Sequence, residues 1–140
     1  MTSKPDFSAL SARHLRFGWG SLLVFVVLGG VLEAMHGFKV DWYLSFGSET
    51  QRLMWRLAHA HGTLLSLVHV AFAFTATRCS TEPRVASACF IGASVALPGG
   101  FLLGAFGGGG GDPGVGIALV PMGLLLMLVG VAACLRSLRP

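Results

Sequence analysis

The chain has 140 residues, of which 54% are hydrophobic and 11% charged, with a formal net charge of +4. Soluble domains carry about a quarter charged residues, and disordered segments are polar and charge-rich, so neither class fits. A bilayer crossing takes about 20 apolar residues, so four crossings use roughly 80 and leave room for loops and ends but no second domain.

The first predicted helix covers about residues 17–36 and holds Leu22-Leu23-Val24-Phe25-Val26-Val27-Leu28. Arg13 and Arg16 precede it as in a signal peptide. Its apolar stretch is too long for one and no small-x-small cleavage site follows, so it reads as a retained helix. In the aromatic loop that follows, Trp42 and Tyr43 are expected at the headgroup level as interface anchors, a substrate lid being the alternative. The second helix covers about 49–77, and Ser48-x-x-Gln51 fits a capping box at its start. The third covers about 84–106 and ends in Gly107 to Gly111, a run too flexible to stay helical. The fourth covers about 113–135, with Asp112 as N-cap and Pro113 at the first helical position. These runs are too long for strands and lack the alternation of an outer-membrane barrel. The expected fold is all-α: one integral-membrane domain, 1–140, built as a bundle of four transmembrane helices.

Lys4, Arg13, Arg16, Arg78, Arg84, Arg136 and Arg139 would lie on one side, Lys39, Arg52 and Arg56 on the other. The excess of positive charge marks the first side as cytoplasmic, so both termini are expected there, in a multi-pass protein of a bacterial inner membrane. The basic residues flank apolar runs singly or in pairs. This is a topology pattern rather than a phosphate-tracking stripe, so a nucleic-acid partner is not expected. Cys79, Cys89 and Cys134 form no C-x-x-C pair and no zinc spacing.

Ala88, Gly92, Ala96, Gly100, Gly104 and Gly108 put a small residue at every fourth position of the third helix. Gly116, Gly123 and Gly130 recur in the fourth. Such seams let backbones approach closely where lipid supplies no hydrophobic drive. They would serve packing within the chain or, through Gly92, Ala96, Gly100 and Gly104, a homo-oligomer or a larger membrane complex in which the chain is an accessory subunit.

Ionisable groups inside a span are costly and need a partner or a purpose. The first span carries Glu33 and His36, the second Arg56, His59, His61 and His69. Antiparallel pairing with Gly37 level with Arg52 sets Glu33 level with Arg56 and His59 level with Gly30, at depths of roughly 6 Å and 10 Å. Pro98-Gly99-Gly100 and Pro121 fall at similar depth, and helix breakers there need protein or a wet cavity to satisfy freed carbonyls. Arg52, Arg56, His59, Thr63 and Ser66 share one stripe, whereas His61 points elsewhere.

The functional reading is a polar Glu/Arg/His site near the periplasmic face that binds a metal, a redox cofactor or a small ligand. Glu33 would be ligand or base, Arg56 its ion-pair partner, and His59 a ligand or proton carrier assisted by His36 or His61. Glu33, His36 and His59 offer borderline ligands for a mononuclear Zn, Fe or Cu site. Glu33-x-x-His36 copies the spacing of di-iron bundles, but the second motif and further glutamates are missing. Haem is disfavoured because His36 is level with Leu53 rather than with His59. The structural alternative has Glu33 neutralise Arg56 while His59 and His61 bond carbonyls freed by the prolines. A transport alternative uses Glu33, His59 and His69 in oligomers as a proton or ion relay. His14 and His69 otherwise read as packing residues. No nucleophile elbow, P-loop or metalloprotease motif is present. Any catalysis would be a membrane-embedded redox or isomerase reaction.

Lys39-Val40-x-x-Tyr43-Leu44 and Leu53-Met54-Trp55-Arg56-Leu57-Ala58-His59-Ala60-His61-Gly62 resemble a family of small four-span bacterial membrane proteins of unknown function. Arg13-His14 and Ala58-His59-x-x-Gly62 also look like segments of hydroxylaminobenzene mutases, short four-span proteins, although the Asn-Pro-Arg expected ahead of Ala-His is absent. That second likeness implies an intramolecular redox isomerisation by analogy alone.

Overall fold

The computed structural model describes residues 7–45, 47–106 and 111–138. Helix α1 spans Ser8–Gly37, the short α2 Asp41–Leu44, α3 Glu49–Ala76, α4 Arg84–Gly104, and α5 Leu119–Ser137 after a 3-10 turn at Val115–Ala118. No strand is present among the described residues. The four long helices, counting the 3-10 turn with α5, are each long and apolar enough to cross a membrane. The protein is an all-α four-helix membrane bundle.

The main helix pairs follow chain order: α1 on α3, α3 on α4, α4 on α5. Between α1 and α3, Gly18 backs onto His69, Gly62 onto the ring of Phe25, and Gly29 onto His59. This antiparallel register is one residue from the predicted His59–Gly30 level. Between α3 and α4, Phe72 meets Phe90 at a ring separation of 5.0 Å and His61 meets Phe101 at 4.9 Å. Leu23, Val24 and Val27 of α1 and Leu124, Leu125 and Leu128 of α5 remain exposed. Apolar faces of this kind suit contact with lipid.

The small-residue seam is taken up inside the chain. A Cβ built on Gly100 would lie 2.9 Å from Val120, and one on Gly123 would lie 2.7 Å from the Leu97 backbone nitrogen. The α4 and α5 backbones are therefore already in close contact. Gly92, Ala96, Gly100 and Gly104 pack on the chain's own α5 and the 3-10 turn before it, which is the within-chain alternative for the seam rather than an oligomer or partner surface.

Several local expectations also change. Helix α1 begins nine residues before the predicted start, because tertiary contacts hold its first turns: Leu10 and His14 are buried and the Ser11 hydroxyl donates to the Ala73 carbonyl at 2.9 Å. Ser48 does precede α3, but its hydroxyl turns back to the carbonyls of Tyr43 and Ser45 instead of capping the helix. Asp112 caps nothing. The chain first crosses the end of α4, where the Gly114 N–H donates to the Gly104 carbonyl at 2.8 Å, and α5 starts only at Leu119. Residues 107–110 of the glycine run lie outside the described residues. Helix α4 continues through Pro98 without a break. Pro121 sits in the first turn of α5, where N–H groups lack helical partners anyway. Tyr43 is 1% exposed and stacks on Trp55 with ring planes 2° apart, so only Trp42 is placed as an interface anchor would be.

Candidate functional site

A cavity of about 560 Å3 opens between α1 and α3 at the end opposite the termini, lined by Glu33, His36, Arg56 and His59 with Gly29 and Gly30. Of the residues singled out in the sequence, Glu33, His36, Arg56 and His59 line this one cavity. Two features create the space. Gly29 has no side chain, so the His59 ring can lie against its backbone, and Gly30 faces open space. The His59 Nδ1 is hydrogen-bonded to the Phe25 carbonyl at 2.7 Å, which fixes the ring across the cavity floor.

The expected ion pair is absent. Among the described residues the only salt bridge is Arg84 to Glu82, and Glu33, His36 and Arg56 have no hydrogen-bond partner. All three side chains are exposed at the cavity rim. The three-ligand metal set is absent as well: no three His, Cys, Asp or Glu among the described residues gather closely enough to hold an ion. The reason is helical rise. His59 lies level with Gly29, which is seven residues and roughly 10 Å from His36 along α1.

His61 leaves the site altogether. It faces α4, its Nδ1 bonded to the Leu57 carbonyl at 2.8 Å and its ring against Phe101. The carbonyls used by His59 and His61 are thus Phe25 and Leu57, not those freed by proline. By the α3–α4 register Pro98 is level with residues 64 and 65, so it and Pro121 lie roughly 8 Å deeper than His59. Along the predicted stripe, Arg52 instead clamps the Tyr43 carbonyl at 2.7 Å, and Ser66 bonds Ser21 at 2.7 Å. The buried Thr63 hydroxyl has no partner among the described residues.

The structure gathers a second set of groups near the terminal end. His14 and His69 are both 0% exposed, and their Nδ1 atoms lie 2.6 Å apart. The ring centroids are 4.8 Å apart and the planes 19° apart, so both nitrogens lie between the ring centres and the rings meet edge to edge. This is the alignment an N–H···N bond requires. Each outer nitrogen is also engaged: His14 Nε2 with the Ser87 hydroxyl at 2.8 Å, and His69 Nε2 with the Ser94 hydroxyl at 2.9 Å. Arg13 donates to Ser87 from the surface at 2.6 Å.

Helical spacing explains the assembly. Leu10, His14 and Gly18 share one face of α1, and Ser66, His69 and Ala73 share one face of α3. The missing side chain at Gly18 lets α3 approach, since a Cβ there would sit 2.9 Å from the Ser66 carbonyl. Reading His14 as outside the first span conceals the pair, because polar residues ahead of the apolar run look like a solvated end. The available sign was the Arg13-His14 dipeptide. Comparison with protein-family models, curated proteins and solved structures finds no match to this chain.

Proposed function

We propose that this is a bacterial inner-membrane protein that binds a small amphipathic molecule between α1 and α3, near the periplasmic face. The observation that carries the reading is the cavity itself, which sets a carboxylate, a guanidinium and two imidazoles against the apolar walls of Val26 and Leu32. Convergent polar groups on an apolar pocket are the usual form of a small-molecule site. Arg56 and the imidazoles can donate to carbonyl or acidic oxygens. Glu33 accepts from a hydroxyl or amine. Because no group among the described residues pairs with Glu33 or Arg56, both are available to a ligand at no cost in broken bonds. A head group carrying donors and acceptors together, attached to an apolar ring or chain, matches this set.

The test is to purify the protein in lipid nanodiscs and identify what travels with it, by native mass spectrometry, metal analysis and an absorption spectrum. A stoichiometric small molecule that is lost in Glu33→Gln and Arg56→Gln supports the reading. Retention of that molecule in both variants, or nothing above trace in the wild type, removes it.

A further inference from the structure

We infer that Ser87, His14, His69 and Ser94 form a proton relay linking the terminal face of the bundle to its mid-depth, independently of the ligand pocket at the other end. The two serines lie on α4 seven residues apart, which is roughly 10 Å along the helix axis. The hydrogen-bonded path leaves α4 at Ser87, crosses to α1 at His14 and to α3 at His69, and returns to α4 at Ser94. Its outer end opens to solvent: Ser87 lines a cavity of about 730 Å3 together with Arg13, Glu82 and Arg84. Its inner end is the middle of α4 (Arg84–Gly104), where Pro98 lacks the N–H that would bond the Ser94 carbonyl.

The chain of bonds satisfies every ring nitrogen in either direction. In one polarity Ser87 donates to His14 Nε2, His14 Nδ1–H donates to His69 Nδ1, and His69 Nε2–H donates to Ser94. In the other, Ser94 donates to His69 Nε2, His69 Nδ1–H to His14 Nδ1, and His14 Nε2–H to Ser87. A hydroxyl donates or accepts equally well, so both ends tolerate the reversal. Arg13 donates to Ser87 in both states and is the charged group facing the pair; no carboxylate lies within 4.0 Å of either ring among the described residues. Phe72 packs edge-on against His14 at 4.7 Å and Phe17 covers His69 at 4.5 Å, so protons reach the rings only through the serines.

Reversal moves one proton. Water in the groove gives a proton to the Ser87 oxygen, whose own proton passes to His14 Nε2. The Nδ1 proton of His14 crosses to His69, the Nε2 proton of His69 passes to Ser94, and the Ser94 proton leaves to a deprotonated oxygen or nitrogen of a membrane-dissolved reactant beside the partly buried Ser94. One proton enters, one leaves, and each ring again carries one. Buried rings held at both nitrogens do not turn over, so the relay resets by the reverse transfer. It therefore serves chemistry that alternately takes up and releases a proton rather than steady one-way conduction.

The experiment is nitrogen-15 NMR of histidine-labelled protein in lipid nanodiscs. A through-bond coupling between the two Nδ1 nuclei is expected, with shifts averaged between protonated and unprotonated values. Ser94→Ala should lock the proton on His69 Nε2 and His14 Nδ1, because the Phe90 carbonyl beside His69 then remains as the partner of Nε2 and accepts only from an N–H. Ser87→Ala removes the hydroxyl beside His14 Nε2 and should lock the same tautomers, His14 Nδ1–H and His69 Nε2–H. Ser87→Thr and Ser94→Thr keep the hydroxyls and should keep the averaging. A wild-type spectrum frozen in one tautomer makes the pair a fixed structural bond and overturns the relay, as does the absence of coupling. The wild-type spectrum decides this even if the alanine variants fail to fold.

Discussion

The imidazole of His59 occupies the space that any larger side chain at Gly29 would claim, and its Nδ1 is tied to the Phe25 carbonyl at 2.7 Å. One glycine on α1 therefore positions the floor of the pocket on α3.

Gly29→Ala would drive a methyl group into a ring that cannot simply swing aside. Overpacking of this kind costs roughly 1–3 kcal/mol, and the binding proposed for the pocket should weaken with it. Gly30→Ala is the control, since nothing lies within 4 Å of a Cβ there. Thermal unfolding in detergent should separate the two. Equal melting temperatures would show that His59 is not held against Gly29.

Glu33 and Arg56 share the pocket without pairing, so neither supports the fold through the other. Glu33→Gln and Arg56→Gln should each stay within about 0.5 kcal/mol of the wild type, as exposed substitutions usually do. A loss of several kcal/mol in either single variant, recovered in the double, would reveal an ion pair after all.

For the buried histidines the opposite holds. Replacing His69 by Leu strands the His14 Nδ1 in a dry site, at a cost of roughly 1–3 kcal/mol. The double change His14→Leu with His69→Leu should be less costly than the sum of the singles, by about 1 kcal/mol or more. Simple additivity in that cycle would mean that the two rings do not interact.

Tyr43 is buried with its hydroxyl unpartnered among the described residues, while its ring stacks on Trp55. Tyr43→Phe keeps the ring and removes the stranded oxygen, so it should raise stability by about 1 kcal/mol. A fall in melting temperature would mean that a water or a partner satisfies the hydroxyl.

At the α4–α5 seam, Gly123→Ala would place a carbon 2.7 Å from the Leu97 backbone nitrogen, which cannot yield as a side chain would. Separating the helices should cost roughly 1–3 kcal/mol. Gly99→Ala, which meets nothing within 4 Å, should be neutral in the same melting experiment.

The long helices and the α1–α3 register were legible because span length and antiparallel pairing are set by local composition and by helical rise. Glu33, His36, Arg56 and His59 were legible as one cluster for the same reason. What was not legible depended on where side chains point. Depth alone suggested an ion pair and a three-ligand metal site, but rim-exposed side chains and roughly 10 Å of rise leave Glu33 unpaired and His36 apart from His59. The depth of the prolines is not legible because it depends on the α3–α4 offset, which side-chain packing rather than composition sets.

By itself, the sequence determined that the chain is a four-helix membrane protein, since 54% hydrophobic residues in four long runs admit no other arrangement. It also determined that α4 and α5 can approach closely, because glycine at helical spacing leaves nothing in the way. Only the tertiary structure decided that His14 and His69 meet. Their contact depends on α1 extending to Ser8, on Gly18 admitting α3, and on two serines of α4 arriving at the outer nitrogens. A hydrogen bond is directional and short-ranged, so it is fixed by three helices at once and cannot be read from the composition of any one.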